Sequence, residues 1–161
     1  MELPQRRPNR IPNYDYSTPG AYFITICTKD KKCIFWENVG ATIGRPPKPM
    51  LSHCGRIVDA AIRSIPAYYP AITLDHYVVM PNHIHLLLQI NTDTDGQPMV
   101  APTISTVIQQ LKGVVTKQIG HPVWQKLFHD HVIRGEMDYL KIWEYIDNNP
   151  TRWEEDCFYI E

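Results

Sequence analysis

The stretch Leu74–Ile90, LDHYVVMPNHIHLLLQI, decides the fold of this chain. It covers most of two runs that are rich in apolar and β-branched side chains, Ile72–Val79 and His83–Ile90. Such runs are typical of buried strands. The connection Met80–Asn82 is short and contains a proline, so the chain has room only for a tight reversal. We therefore predict two neighbouring antiparallel strands at this point.

The second of these strands carries two histidines, His83 and His85, separated by one residue. Successive side chains of a strand alternate between its two faces, so both imidazoles point to the same side of the sheet. The apolar residues between and after them point to the other side, which we expect to be the core: Ile84, Leu86 and Leu88. Two imidazoles on a rigid strand can hold a metal ion and leave other coordination positions open. A pair of hydrogen-bonded surface or core histidines is the alternative, and this common spacing taken alone favours it.

The elements on either side of the hairpin follow from apolar periodicity and from turn residues. In chain order they are a strand at Ala21–Thr28, a helix from Gly55 to Ile65 that ends before Pro66, a helix that starts near Thr103 and is closed by Gly120, a strand at Phe128–Arg134 and a helix at Glu136–Asn148. The order β-α-β-β-α-β-α predicts an α+β protein with a ferredoxin-like antiparallel sheet, helices on one face and an added C-terminal helix. We predict one domain over residues 1–161.

Composition supports a folded chain outside membranes. Hydrophobic residues make up 43% and charged residues 20% of the 161 residues, which is ordinary for a globular protein. No apolar run reaches the roughly 18 residues that a membrane span requires, and the start MELPQRRPNR has no apolar signal core. We therefore expect a cytoplasmic protein without a membrane partner. The four cysteines form no CxxC pair, and we expect free thiols.

Charge is distributed unevenly along the chain, although the net charge is only −1. Residues 1–66 contain ten Lys/Arg and five Asp/Glu, whereas residues 67–161 contain six and twelve. A basic first half can face nucleic-acid phosphates, but an uneven solvated surface gives the same counts. Residues 1–20 are predicted to form an extended basic arm. Its arginines lie close to aromatic residues, a combination that suits phosphate contact and base stacking, and they are the candidate DNA-binding residues Arg6, Arg7 and Arg10. A flexible N-terminal segment without a DNA-binding role fits these residues equally well.

The last predicted helix carries a second group of polar side chains, in the segment DYLKIWEYIDNNP. Tyr145 and Asn149 are four residues apart and share one helix face. A different arc should pack against the sheet and consists of Tyr139, Leu140, Trp143 and Ile146. Tyr145 therefore lies at the edge of the buried stripe, where its hydroxyl can reach a cleft, and Asn149 can offer a carbonyl oxygen to a metal ion. An ordinary boundary tyrosine and a helix-end asparagine are the alternative.

Four segments of the chain together resemble the REP-associated tyrosine transposases, which belong to the HUH superfamily. The segments are VVMPNHIHLLL, FHDHVIR, YIDNNP and the opening RIPNYDYSTPGAYFITICT. The resemblance covers about residues 10–150, and the motifs occur in the family's order. After the NP dipeptide the family usually continues with small residues and a Val/Arg run, whereas this chain has TRWEEDCFYIE. The resemblance therefore leaves the role of this tail open.

The resemblance implies a specific chemistry. His83 and His85 would be ligands of a divalent Mg²⁺ or Mn²⁺ ion, Asn149 a third ligand, and Tyr145 the nucleophile that forms a 5′-phosphotyrosine with single-stranded DNA. The substrate would be single-stranded or hairpin DNA, and the protein a monomer or homodimer.

Two other readings of the same residues stay open. One is a domesticated protein that binds DNA hairpins without productive chemistry, and the other is a metal hydrolase unrelated to DNA. A second pair, His129 and His131, lies on the predicted fourth strand, where we favour a structural role. We expect the same of His76, on the strand next to the first pair.

Overall fold

A four-stranded antiparallel sheet forms the centre of the protein. The computed structural model describes residues 10–37, 50–92 and 102–160. The strands are β1 (Gly20–Cys27), β2 (Ile72–Val79), β3 (His83–Ile90) and β4 (His129–Val132). They are arranged in the order β2-β3-β1-β4, and every pair of neighbours is antiparallel. The predicted ferredoxin-like sheet is confirmed, and the tight hairpin joins β2 to β3 through Met80–Asn82.

The described residues form four α-helices, α1 (His53–Arg63), α2 (Ile65–Tyr68), α3 (Ile104–Ile119) and α4 (Glu136–Asn148). Helices α1 and α3 cover one face of the sheet. Apolar side chains of α1 and α3 pack with the inward side chains of β1 and β3 in one buried cluster that includes Ile24, Val58, Ile84, Leu86 and Val107. The burial of this apolar surface is the main favourable contribution to folding. The alternation predicted for Ile84, Leu86 and Leu88 is therefore confirmed.

The ends of α1 and α3 follow from local capping. The Ser52 hydroxyl accepts a hydrogen bond from the Gly55 amide, so α1 begins two residues earlier than predicted. α1 ends at Arg63, and Pro66 lies in the first turn of the short α2. Backbone N–H groups in a first turn have no acceptor within the helix, so proline, which lacks this group, is tolerated there. α3 has Thr103 as its N-cap, as predicted, and ends at Gly120, whose φ of 95° favours glycine.

β4 is shorter than the predicted strand Phe128–Arg134. Its pairing with β1 runs from His129 to Val132, and beyond it the Arg134 amide donates a hydrogen bond to the Asp138 carboxylate at the start of α4. This contact turns the chain into the helix and ends the strand. The strand's other end stops because Phe128 packs into the core cluster.

α4 lies on the opposite face of the sheet, over β2 and β3. Ile146 is buried, the Trp143 ring stacks on the His76 ring at 4.5 Å, and the Tyr139 hydroxyl donates to Asp75 of β2 at 2.7 Å. The predicted packing of Leu140 against the sheet is wrong, because its side chain is 52% exposed. Leu140 lies on the outer side of α4, four residues before the exposed Glu144.

The chain after α4 folds back over the same face. Asn149 keeps helical backbone angles, and a 3-10 helix follows at Pro150–Glu155. Trp153 in this segment is fully buried. Trp36 and Leu51 form an isolated antiparallel bridge, and residues 38–49 between them lie outside the described residues. In the described parts of the chain, no helix has the length and apolarity that crossing a membrane requires.

Candidate active site

The imidazoles of His83 and His85 lie side by side on the α4 face of β3. β3 is hydrogen-bonded to β1 on one side and to β2 on the other, which fixes the backbone of both histidines. Their Nε2 atoms are 3.1 Å apart, and both residues are buried. The sequence-based prediction that the two rings share one face is therefore confirmed.

The outer ring nitrogen of each histidine is held by a polar neighbour. The His83 Nδ1 is 2.8 Å from the Asn82 side-chain oxygen, and the His85 Nδ1 is 2.8 Å from the Thr25 hydroxyl. The Asn82 amide group also donates to the backbone oxygens of Lys31 and Phe158, which fixes its orientation. Its oxygen then requires a proton on the His83 Nδ1, so the Nε2 of His83 carries a free lone pair. A proton on the His85 Nδ1 directs the second Nε2 lone pair to the same point.

Both imidazoles favour the neutral state. Burial lowers the pKa of His83 to about 4, against opposing effects of the Asp156 carboxylate and the Asn149 side chain. Burial, and after it the proximity of His83, holds the pKa of His85 well below its usual range. A neutral imidazole is the form that binds metal ions.

Tyr145 projects from α4 onto this pair. Its ring centroid is 5.3 Å from that of His85 and 6.1 Å from that of Phe23 on β1, and the residue is 41% exposed. Burial raises the pKa of the Tyr145 phenol to about 12, with further increases from Asp156 and Cys157, while the Asn149 side chain lowers it. The hydroxyl is therefore protonated at neutral pH in the absence of an additional positive charge.

Asn149 is buried one turn after Tyr145 on the same helix face. Its Nδ2 donates to the Asp156 carboxylate at 2.7 Å, and its Oδ1 is buried without a hydrogen-bond partner among the described residues. The side chain raises the pKa of His83 and lowers that of Tyr145, so it is close to both groups. A buried carbonyl oxygen without a partner costs free energy unless another group, such as a cation, satisfies it.

A carboxylate that the sequence analysis did not identify completes this group. An oxygen of Asp156 lies 3.6 Å from the His83 Nε2, and both side chains are fully buried. Candidate ligand atoms of His83, His85 and Asp156 all lie within 4.8 Å of one another. Asp156 is in the tail that departs from the family pattern and has no periodic spacing that could have marked it. Its neighbourhood depends on the way the chain folds back after Pro150.

An open cleft leads from solvent to this group. It has a volume of about 480 Å³ and is lined by Tyr145, Asn149 and Asp156 together with the basic side chains of Lys141 and Arg152. The candidate nucleophile Tyr145 lines this cleft directly. The cleft is also lined by Glu144 and Glu155, so its charge is mixed.

The other sequence candidates lie apart from this site. His131 binds the Asp138 carboxylate at 2.8 Å on the edge strand β4, and His76 binds Asp147 at 2.7 Å, as expected of structural histidines. Arg10 stacks over the Phe128 ring at 4.6 Å and is hydrogen-bonded to Ser105 of α3, at the β4 edge of the sheet. The other two arginines of the predicted arm, Arg6 and Arg7, lie outside the described residues.

Known proteins with similar sequences include two from Haemophilus influenzae. No protein-family model matches the chain. An uncharacterized protein is 33% identical over an aligned length of 175 residues, and the alignment covers 97% of this chain and 94% of that protein. A second protein, whose name assigns it to the REP-associated tyrosine transposases, is 23% identical over 146 residues, which cover 86% of this chain and 74% of that protein.

Two solved structures with a similar fold are described as transposases. One is a REP-associated tyrosine transposase bound to a REP hairpin, with a TM-score of 0.60, 20% identity and coverage of 95% of this chain and 74% of that one. Another is a protein of Deinococcus radiodurans described as a transposase, with a TM-score of 0.50, 18% identity and coverage of 86% and 95%. The fold is therefore that of the transposases. The similarity in sequence and fold to REP-associated tyrosine transposases confirms the resemblance that the sequence motifs indicated.

Proposed function

We propose that this protein cleaves and rejoins single-stranded DNA through a covalent 5′-phosphotyrosine at Tyr145, with the help of a divalent metal ion. The observation that carries the proposal is the contact between the Tyr145 ring and a buried pair of imidazoles whose Nε2 atoms are 3.1 Å apart. The proposal agrees with the transposase relatives and with the hairpin bound to one of them.

The residues around the imidazole pair fit a divalent ion. Two nitrogen ligands at right angles, each about 2.1 Å from one ion, are about 3.0 Å apart, close to the observed 3.1 Å. The unpartnered Asn149 Oδ1 offers an oxygen at the same place. His83 and His85 would hold the ion through Nε2, with Asn149 as a third ligand. When bound, Mg²⁺ or Mn²⁺ supplies Lewis-acid stabilisation of the charge on a phosphate.

Tyr145 is the nucleophile in this proposal. Its oxygen attacks the phosphorus of the scissile phosphodiester, the bond from phosphorus to the 3′ oxygen breaks, and the proton lost by the phenol is balanced by the one that the 3′ oxygen gains. The products are a 5′-phosphotyrosine and a free 3′-hydroxyl. Attack by another 3′-hydroxyl reverses the reaction and joins two strands. Burial, followed by the Asp156 carboxylate, raises the pKa of the Tyr145 phenol to about 12, so loss of its proton would depend on the positive charge that a bound divalent ion supplies.

The proposed DNA substrate is a single strand next to a hairpin. The cleft beside Tyr145 is lined by Lys141 and Arg152, which can contact phosphates on the way to the nucleophile. Arg10, with the neighbouring Tyr16 and Arg134, lines a second cleft at the β4 edge and is proposed to bind DNA outside the reaction centre. Arg6 and Arg7 precede it along the same basic arm and are proposed to act with it.

The test uses a labelled oligonucleotide that carries the inverted-repeat hairpin flanking the gene, and a denaturing gel that detects protein-linked DNA. We expect an adduct with Mn²⁺ or Mg²⁺, none with EDTA, and none with Tyr145→Phe, whose hairpin binding stays within about threefold of the unmodified protein because only one hydroxyl is lost. Tyr139→Phe is the matched control on the same helix, since its hydroxyl binds Asp75 and not the histidines.

Two outcomes would contradict the proposal. An adduct that persists in Tyr145→Phe would remove Tyr145 as the nucleophile. Hairpin binding without an adduct under any metal condition would identify the protein as a catalytically silent DNA-binding relative.

A further inference from the structure

We propose that Asp156 supplies a carboxylate oxygen to the metal ion from the segment that follows α4. This inference rests on the proposed function, since it concerns the same ion. It assigns a role to the tail that departs from the family pattern, TRWEEDCFYIE. The site would then consist of two imidazole nitrogens, the Asn149 amide oxygen and the Asp156 carboxylate.

The position of the Asp156 carboxylate is the first argument. Its Oδ2 lies 3.6 Å from the His83 Nε2, and one ligand atom each of His83, His85 and Asp156 fit within 4.8 Å. These atoms come together from β3 and from the tail, and Asp156 also lines the cleft that contains Tyr145. Two ligand atoms of one such ion are at most about 4.4 Å apart, because the ligand distances are about 2.0–2.2 Å, and the 3.6 Å between Asp156 and His83 lies within that limit.

The burial of this carboxylate is the second argument. The Asp156 side chain is fully buried, and no lysine or arginine of the described residues lies within 4.0 Å of its carboxylate. An ionised carboxylate without a cation is costly to bury. A divalent ion between the carboxylate and the two neutral imidazoles provides the missing positive charge.

The way the tail is anchored is the third argument, because a ligand must be held in place. The Asn149 Nδ2 donates to the Asp156 Oδ2 at 2.7 Å, and the Phe158 amide donates to its Oδ1 at 2.8 Å. On one side of Asp156, Trp153 is fully buried at 6.0 Å from the His83 ring. On the other side, the Phe158 ring lies 4.6 Å from the same imidazole. Hydrogen bonds that orient a ligating carboxylate are typical of metal sites.

Such a ligand set has a consequence for the choice of metal. Carboxylate and amide oxygens suit Mg²⁺ and Mn²⁺, whereas imidazole nitrogens suit later transition metals. The Asp156 carboxylate therefore shifts the site towards the ions that the proposed DNA chemistry uses.

The experiment measures Mn²⁺ affinity from the paramagnetic resonance signal of the free ion, with the full chain and without DNA. We expect Asp156→Asn to weaken binding by at least about tenfold, since even changes to groups behind the ligands cost 10–100-fold. Glu155→Gln is the matched control. It removes the same charge from the neighbouring residue, whose side chain is 75% exposed, and should leave the affinity within about twofold because exposed charges are screened.

The inference fails if Asp156→Asn binds Mn²⁺ as well as the unmodified protein, or if Glu155→Gln weakens binding to the same extent. Far-ultraviolet circular dichroism without metal checks that each variant is folded. Asp156→Ser, which keeps an acceptor for the Phe158 amide, serves as the second variant.

Infrared difference spectra test the same ligand in the unmodified protein, without any variant. We expect Mn²⁺ to shift a carboxylate band, and a spectrum without such a shift would also overturn the inference.

The same data distinguish this inference from the proposed function. Mn²⁺ binding that depends on Asp156, in a protein that forms no DNA adduct, would support the ligand and remove the proposed reaction. Adduct formation at Tyr145, with unchanged Mn²⁺ affinity in Asp156→Asn, would support the reaction and remove the ligand.

Discussion

The substitution Thr25→Val tests whether the hydrogen bond behind His85 orients that imidazole for metal binding. Thr25 is directly opposite His85 in the pairing of β1 with β3, and its hydroxyl lies 2.8 Å from the Nδ1. Valine has nearly the same shape, so the change removes the hydrogen bond and little else. Thr25 is buried, and water cannot replace the lost hydroxyl without a rearrangement.

The expected effect falls mainly on metal affinity. An imidazole that binds an ion through Nε2 must carry its proton on Nδ1, and in the variant that buried N–H has no partner. Leaving such a group unsatisfied costs about 1–3 kcal/mol, which corresponds to a loss of affinity of about 5- to 150-fold. Losses of about 10–100-fold on removal of comparable groups in other metal sites agree with this range. In the metal-free protein the imidazole can change its tautomer, so the penalty is smaller there.

Titration with Mn²⁺ measures the affinity, and urea unfolding of the metal-free protein measures the stability. Thr25→Ser is the matched control, because it keeps the hydroxyl and removes one methyl group. We expect it to bind Mn²⁺ within about threefold of the unmodified protein, which is less than 1 kcal/mol. Unchanged affinity in Thr25→Val, or an equal loss in both variants, would refute the assignment of Thr25 as an orienting residue.

Two further predictions concern stability. The pKa of His83 is about 4 in the folded protein and 6.5 as its ordinary value, so the unfolded chain binds the proton first as the pH falls. The contribution of His83 is fully present above pH 6.5, and urea unfolding of the metal-free protein should show a loss of stability as the pH falls towards 4, of which His83 accounts for roughly 3 kcal/mol. His85, whose pKa is also lowered by burial, adds to this loss, and a flat profile would contradict the burial argument. Gly55→Ala should destabilise the protein in spite of its helical position, because the new Cβ would lie 2.1 Å from the Phe35 carbonyl oxygen. Gly113→Ala, at a helical position with open space, should stabilise it by about 0.5–1 kcal/mol, and thermal unfolding that gave both changes the same sign would count against this difference.

Most of the sheet could be predicted because its signals are local. The strands β2 and β3 were predicted with the bounds they have, since a tight connection separates two apolar runs. The N-cap at Thr103 and the glycine at the end of α3 fixed that helix in the same way. β4 was predicted too long, because its length is set by pairing with β1 and by the Asp138 contact at the start of α4. Both are tertiary contacts that a single segment does not reveal.

The residues of the candidate site also differ in whether local sequence signals or tertiary contacts determine their positions. The shared face of His83 and His85 follows from strand alternation, and that of Tyr145 and Asn149 from helical spacing, so these pairs could be predicted singly. That the two pairs meet was available only through the resemblance to a family. Asp156 could not be predicted, because it reaches the imidazoles through a chain reversal after α4 that depends on the burial of Trp153.

The two-sided pairing of β3 has a consequence for how a ligand reaches the imidazoles. The backbone that carries His83 and His85 is bonded along both edges, so it opens only with most of the sheet. α4 lies on the outside of that sheet, with Ile146 as its buried residue, and can open locally at lower free energy. If the protein acts on DNA as proposed, a DNA end can arrive and leave through movements of α4 while the imidazoles keep their positions.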